Sequence, residues 1–414
     1  MKVVRLGDVC KVVSGSTPKR KIAEYWDGTI PWVTPKEISR LPSRFLWESA
    51  EKITEAGFRS CSTAILPVDS LLLSSRAPIG LLAINKIPVC TNQGFKSLIP
   101  GKDVHVEYLY YVLKANVSSL QAKGNGATFK ELAKPAIENF EIPLPPFEDQ
   151  IRIAHLLGKV EGLIALRKQH LQQLDDLLES VFLEMFGDPV RNEMGWDVVP
   201  FHKIGQFVSG GTPSKSREDY WRGDFPWVSP KDMKISKIAD AEDHISESVF
   251  EETSLKSIAP GHLLIVVRGM ILAHSFPLAI NTVEIAINQD MKAIKPNEGI
   301  NVDYLLHCLV SLKRQILKLI STAGHGTRKF DSIAMQRLFI PQPSELLQNE
   351  FGIIAEKIER IKSRYQQSLS DLETLYSALS QKAFKGELDL SRVPLPIDQA
   401  QVVDPVPTPE DCFA

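Results

Sequence analysis

Cysteine is scarce and scattered. The five residues Cys10, Cys61, Cys90, Cys308 and Cys412 form no CxxC pair, which excludes a zinc ribbon or a dithiol redox centre and leaves them expected to be reduced and buried. No apolar run approaches the roughly eighteen residues that span a bilayer, and the opening MKVVRLGDVC lacks the apolar core of a signal peptide. A cytoplasmic location is expected. There is no GxxxxGK[ST] phosphate loop, no HExxH and no clustered acidic metal site, so ATP-driven work and metal-assisted hydrolysis are not expected of this chain. An excess of positive charge is missing too: 48 Lys and Arg face 50 Asp and Glu, for a net charge of −2, where nucleic-acid binders are usually basic. Part of that deficit is local. From Glu387 onward there are six acids (Glu387, Asp389, Asp398, Asp404, Glu410, Asp411) and one base, Arg392, and without them 47 bases stand against 44 acids. The same stretch holds Pro394, Pro396, Pro405, Pro407 and Pro409, so residues 389–414 are predicted to be a disordered, acidic, Pro-rich tail.

What the chain does have is the same piece twice. SGSTP at Ser14 to Pro18 returns as SGGTP at Ser209 to Pro213, an offset of 195 residues. At that offset Tyr25-Trp26 matches Tyr220-Trp221, and PWVTPK (Pro31 to Lys36) matches PWVSPK (Pro226 to Lys231). Asn92-Gln93 pairs with Asn288-Gln289, and Tyr108-Leu109 with Tyr304-Leu305, after small drifts that loops allow. The period is far longer than the roughly 20 to 50 residues of a solenoid unit. Two domain-sized copies are predicted, in keeping with a length of 414 residues, more than one hydrophobic core usually supports. A hydrophobic content of 43% and a charged content of 24% are ordinary for globular proteins.

Each copy closes on a helical pattern. Ile153, Val160, Leu163, Ile164, Leu171, Leu174, Leu177, Leu178, Val181 and Met185 recur at three- and four-residue steps. So do Phe351, Ile354, Ile358, Ile361, Tyr365, Leu372, Leu375 and Leu379, interrupted by Ser368. These are coiled-coil signatures, with Arg167 and His170 as polar seam positions of the kind that fix register. A helix from Ile153 to Met185 is ~50 Å long. The stripes are too long for either domain to cover, so antiparallel pairing of the two helices is predicted, with the domains at opposite ends of a dumb-bell. The expected division is 1–146 and 191–343 for the domains, 147–190 and 344–388 for the helical spacers.

The domains read as mixed α/β (α+β). Ser70 to Ser75 and His262 to Val267, then Leu81 to Asn85 and Leu278 to Asn281, have strand length and turn residues at their flanks. Val106 to Lys114 and Val302 to Leu312 keep helical spacing, and Phe140 to Pro145 and Leu338 to Pro343 are proline-bounded strands.

The SGxTP opening, the YW and PWV[TS]PK motifs, the NQ pair, GATFKEL (Gly126 to Leu132), RGMILAHSFP (Arg268 to Pro277), FKGEL (Phe384 to Leu388) and the closing helices, in this order, resemble the specificity (S) subunit of Type I restriction–modification systems over nearly the whole chain. The resemblance implies two target-recognition domains, each followed by a helical spacer, reading two half-sites of double-stranded DNA whose gap the helices set. It implies partners as well: adenine-methylating M subunits, two of them given the pseudo-twofold chain, and ATP-dependent R subunits. S-adenosylmethionine, ATP and magnesium belong to those partners, and the flipped adenine to M. This chain is then non-catalytic and binds no cofactor.

In such a protein phosphate contacts supply affinity and base edges supply sequence. Candidates for phosphate contact are Lys19, Arg20, Lys21 and Lys36 in the first copy and Lys215, Arg217 and Lys231 in the second, beside Thr17 and Thr212, whose hydroxyls serve either phosphate or the turn itself. Arg76 and Arg268, each ending an apolar strand, are phosphate ligands or core ion pairs. The NQ pairs suit adenine. Being the same in both copies, they are better read as structural hydrogen bonds. Residues that differ in corresponding loops are the better specificity candidates: Lys123, Asn125 and Thr128 to Lys130 against His325 and Thr327 to Lys329, with Arg328 between. Trp32 and Trp227 are predicted to be core.

Two rivals stand beside this reading. A DNA adenine methyltransferase needs an Asn/Asp-Pro-Pro-Tyr/Phe motif, and the nearest match, Leu144-Pro145-Pro146-Phe147, offers leucine where a polar side chain must hold the target amine. A turn into the spacer helix explains it better. The other rival is a duplicated adaptor or scaffold that binds no DNA.

Overall fold

The computed structural model describes residues 1–126, 130–322 and 326–396. It divides into two compact units, Met1–Arg167 with the chain from Ser368 on, and Lys168–Gln367. The division falls inside both long helices, so each unit holds one domain, the first part of one helix and the last part of the other.

In the first unit a five-stranded sheet runs in the order Cys10–Ser14, Lys96–Pro100, Leu71–Leu73, Leu82–Asn85, Phe45–Leu46. In the second the order repeats as Gly205–Ser209, Met291–Pro296, Leu263–Val266, Leu278–Asn281, Lys237–Ile238. The central strands Leu71–Leu73 and Leu263–Val266 are buried at every residue, which is why they read as unbroken apolar runs. Each such side chain contributes ~2 kcal/mol by leaving water. A smaller three-stranded sheet stands beside each: Trp26–Val33 lies between Lys52–Ile53 and Cys90–Thr91, and Phe225–Val228 between Asp243–Ile245 and Ala286–Ile287.

The first strand of each domain pairs antiparallel with its last, Lys2–Arg5 with Glu141–Leu144 and Val198–Pro200 with Phe339–Pro341. Helices Val106–Ala115 and Val302–Ser311 cover the larger sheets. Their repeated tyrosine explains itself here: Tyr108 and Tyr304 are fully buried, and each hydroxyl donates to a carbonyl of the closing strand, Pro143 at 2.7 Å and Pro341 at 2.8 Å. A buried phenol needs such an acceptor. The predicted strands and helices of the domains thus stand where the periodicity put them, to within two residues at their ends.

The long helices run from Phe147 to Phe186 and from Glu345 to Lys385, directly after Pro-bounded turns. Within the second unit they face each other antiparallel: His170 packs, tilted, against Tyr365 at 5.5 Å, Asp175 pairs with Lys362 at 2.7 Å, and Phe182 meets Phe351 at 5.4 Å. Ile153, Val160 and Leu178 are buried; Leu171, Leu174, Val181, Ile354, Tyr365, Leu372 and Leu379 are partly covered, and Ile358 is buried. Ile361 corrects the expectation. It is exposed, and the neighbouring Lys362 takes the seam, its side chain only 12% accessible between Asp175 and Glu359. Leu163, Leu177 and Leu375 are likewise exposed. A 3.6-residue repeat places two adjacent residues almost equally near the seam, and a long amphipathic lysine with acids at hand fills the place as well as isoleucine.

Ordered chain continues past the predicted end of the second spacer. Leu388 and Leu390 pack on the first domain's core, and the Val393 carbonyl accepts from Arg152 Nε at 3.1 Å. The start of the expected tail is therefore a packed strap, fixed by apolar residues among its acids and prolines. Residues 397–414 lie outside the described residues, and with them Cys412. Cys10, Cys90 and Cys308 are buried free thiols, whereas Cys61 is partly exposed.

Candidate nucleic-acid interface

The SGxTP turns grow from the edge of the larger sheet. Antiparallel pairing sets Ser14 opposite Lys96 and Ser209 opposite Lys292, so each turn emerges beside the NQ pair that leads into the next strand. The approach is close enough to demand glycine: a first side-chain carbon at Gly15 would lie 2.0 Å from the Asn92 carbonyl oxygen, and one at Gly210 would lie 2.2 Å from that of Ile287. Thr17 then donates its hydroxyl to Gln93 Oε1, and Thr212 to Gln289 Oε1. Asn92 and Asn288 accept, through their side-chain oxygens, the amides of Gly94 (2.8 Å) and Asp290 (2.7 Å). Both members of the NQ pair thus hold local structure, as the repeat implied, though Gln93 remains exposed.

The tryptophans serve the same turn. Trp32 is 1% exposed and its indole N–H donates to the Ser16 carbonyl at 3.1 Å; Trp227 donates to Gly211 at 3.0 Å. Behind them Trp26 and Trp221 donate to Lys19 (3.4 Å) and Ser214 (3.2 Å) and meet Trp32 and Trp227 edge-on, each at 5.1 Å. The YW and PW motifs form one buttress that pins the turn.

Cations near the turn have different fates. Lys19, Lys21, Lys36 and Lys215 point to solvent. Arg20, Arg217 and Lys231, equally candidates for phosphate contact, are held in ion pairs. Arg20 lies over Trp26 at 4.0 Å and pairs with Glu51 at 2.5 Å. Arg217 is held by Asp219 (2.6 Å) and Glu252 (3.2 Å), and Lys231 by Asp243 (2.9 Å) and Glu242 (3.2 Å). Hydrogen bonding to Asp219 raises the Arg217 pKa and to Asp243 that of Lys231, so both stay charged and occupied.

Arg76 and Arg268 occupy the same place, one residue beyond Ser75 and Val267, whose carbonyls accept from Leu132 (2.8 Å) and Phe330 (2.9 Å). Through these bonds the variable loops lie against the strand ends. In the first domain Asn125 and Glu131 exchange backbone hydrogen bonds at 3.0 and 2.9 Å and close a hairpin, with Lys123 and Lys130 exposed on its flanks. In the second, Ser321–Thr322 pairs with Arg328–Lys329, and Arg328 donates to the Thr322 hydroxyl at 2.7 Å; Thr327 is half-buried. Thr128 and His325 lie outside the described residues. Arg76 approaches Glu131 at 3.6 Å and Arg268 approaches Asp290 at 3.9 Å, both in the partly exposed edge rather than the core.

One edge of each domain therefore gathers the SGxTP turn, the NQ turn, the strand-end arginine and the variable hairpin. Glu131, Lys96, Lys292 and Asp290 also belong to it and were missed. The lysines are legible as NQGFK against NQDMK, whereas no repeated motif marks Glu131, which stands where the second copy has Lys329. Among the described residues no group of His, Cys, Asp or Glu could hold a metal, and no helix is long and apolar enough to cross a membrane.

Two domains of one fold, each presenting the same polar edge and followed by a long helix, define an internally duplicated two-domain protein. The family model described as Type I restriction modification DNA specificity domain matches residues 1–176 and again 193–374, and the chain belongs to this family. It is similar to the Type I restriction enzyme MjaIX specificity subunit of Methanocaldococcus jannaschii, with 31% identity over 412 residues and 93% of each chain covered. The EcoR124I/EcoR124II specificity subunit of Escherichia coli is 30% identical over 276 residues, 64% of this chain and 66% of that one. Among solved structures, the Type I restriction–modification S subunit from M. genitalium aligns over 92% of this chain and 96% of its own, with a TM-score of 0.59 at 15% identity. A chain from a type I R-M system aligns over 94% and 98%, with a TM-score of 0.52 at 18% identity. At these identities the likeness is one of fold.

Proposed function

We propose that this chain is the sequence-reading, non-catalytic subunit of a Type I restriction–modification complex, and that each domain reads one half of a bipartite target in double-stranded DNA. The observation that carries the reading is the duplicated edge: a rigid, tryptophan-buttressed turn and a strand-end arginine that are alike in both domains, beside a hairpin that differs. Common parts suit phosphate, which is the same at every base pair; differing parts suit base edges. Lys19, Lys21, Lys36 and Lys215 are the cations best placed for phosphate, with Arg76 and Arg268, while Asn125, Lys130 and Thr327 to Lys329 face the bases.

The paired helices act as a spacer that fixes the distance between half-sites. They also dock two M subunits, a role supported by apolar side chains that the fold leaves exposed along them, such as Leu163, Leu166, Leu183 and Ile353. Methyl transfer with S-adenosylmethionine, and cleavage with ATP and magnesium by R subunits, belong to those cytoplasmic partners.

The test is genome-wide adenine methylation in cells carrying this chain with its M subunit, against cells lacking only this chain. Loss of one bipartite motif is the expected result. Unchanged methylation in an otherwise active strain, or binding that ignores the steep salt dependence of DNA association, leaves the adaptor reading in its place.

A further inference from the structure

The two recognition edges are built alike but are not charged alike. Leu132 and Phe330 make the same backbone bond to the same strand end, so Glu131 and Lys329, one residue earlier, occupy matching positions beside Arg76 and Arg268. Register likewise matches Lys96 with Lys292. In the first domain Glu131 stands between two bases, 3.6 Å from Arg76 and 3.5 Å from Lys96. In the second the corresponding residue is itself a base. Arg268, Lys292 and Lys329 line one cleft of about 560 Å³, which Gln289 also borders. Two acids border the second cluster: Asp290, on the NQ turn where the first domain has Gly94 and 3.9 Å from Arg268, and Asp331, which lines the cleft but spends its carboxylate on the Ala334 amide (2.9 Å) and the Ser321 hydroxyl (2.9 Å). Lys292 donates to the Ser209 hydroxyl at 2.8 Å instead.

A carboxylate on a DNA-facing edge is repelled by phosphate and by the acceptor-rich face of guanine. It is compatible with DNA where it accepts from an exocyclic amine. Glu131 remains 42% accessible, its ion pairs are long, and a carboxylate has about four acceptor directions, so lone pairs stay available. Lys329 offers donors only.

We propose that Glu131 and Lys329 are matched base-discriminating residues: Glu131 accepts from the amine of a cytosine in the first half-site, and Lys329 donates to the O6/N7 edge of a guanine at the corresponding place in the second. The assignment rests on the reading of the chain as a DNA-recognition subunit. It makes the half-sites differ through one exchange of charge at one structural position, whatever else the hairpins contribute.

The experiment is to map the methylated motif for the full chain with its M subunit, carrying Glu131→Gln, Glu131→Lys or Lys329→Glu. Glu131→Gln keeps the shape and replaces one acceptor oxygen by a donor amide; it is expected to lower methylation at cytosine-bearing sites about tenfold, at one position of one half-site, and to admit other bases there. Glu131→Lys is expected to move that position toward guanine and Lys329→Glu to move the matching position of the other half-site away from it, each leaving the opposite half-site intact. Assembled, active complexes whose motif is unchanged at every position overturn the proposal, as does a uniform loss of methylation across all sites, the mark of a residue that only supports the hairpin. A wild-type chain that directs no bipartite motif overturns the underlying reading first, and the two failures are thereby told apart.

Discussion

Gln150 and Gln348 stand at matching places one turn into the two long helices, and each spends its whole side-chain amide on the backbone around the joint with its domain. Gln150 accepts from the His105 amide at 2.9 Å and donates to the carbonyls of Asp103 (2.9 Å) and Pro145 (3.0 Å). Gln348 accepts from Asn301 at 3.0 Å and donates to Gly299 (3.2 Å) and Pro343 (2.8 Å). Both are 1% exposed.

Replacing either with methionine keeps the volume and strands three backbone groups, two of them carbonyls, away from their partner. A loss of on the order of 2 kcal/mol or more is expected for each, read by denaturant unfolding of the full chain. If the joint also sets the angle between domain and spacer, methylation spreads to targets whose half-sites are one base pair closer or farther apart. Unfolding curves that match the wild type would remove the anchoring role.

His307 is packed against Phe351 at 5.4 Å, and burial first, then the nearby Lys362 and Lys237, pushes its imidazole down to about 4 from the ordinary 6.5. Between those values the unfolded chain binds a proton that the folded chain does not, so the stability present above about pH 6.5 is lost as pH falls toward 4, by roughly 3 kcal/mol. The first domain has Tyr111 at this place, its hydroxyl donating to Glu161 at 2.8 Å. His307→Tyr is expected to flatten the acid slope of thermal unfolding over that window and leave stability at pH 7.5 nearly unchanged. An identical slope in the variant would refute it.

Burial pushes the Cys10 and Cys308 thiols up to about 12 and that of Cys90 to about 11. Only thiolates react quickly with disulfide reagents. In a Cys412→Ser background, one fast-reacting thiol, Cys61, is expected in the native protein, and the other three are expected only after denaturation. Fast native labelling of Cys10, Cys90 or Cys308, located by mass spectrometry, would contradict the buried assignment.

Leu174→Asp and Leu372→Asp each place a charge on a partly covered face of the paired helices. Assembly with M and the fixed gap between half-sites are expected to be lost together. A variant that assembles and methylates at the wild-type spacing would remove the spacer role.

Much of the architecture was legible because the chain states it twice. A repeated tyrosine, a repeated Gly-rich turn and a repeated apolar run each fixed an element, and Tyr108 with Tyr304, or Asn85 with Asn281, now prove to make the same buried bonds in both copies. The seam was legible only to within a residue, since Ile361 and Lys362 are both near it by periodicity and composition favoured the wrong one. Glu131 was invisible for another reason: its place between Arg76 and Lys96 is set by long-range packing and appears only in the fold.

The sequence by itself determined the duplication, the order of strands and helices, the two joints at Pro-bounded turns and the family to which the chain belongs, because these depend on short-range spacing and on residues that recur. Only the tertiary structure decided which cations remain free. Arg20 is taken by Glu51, 31 residues away, and Arg217 shares Glu252, 35 residues away, whereas Lys19 and Lys215 beside them reach solvent. Charge is a property of a residue, but its availability depends on the distance to carboxylates brought near by the fold, and that distance appears nowhere along the chain.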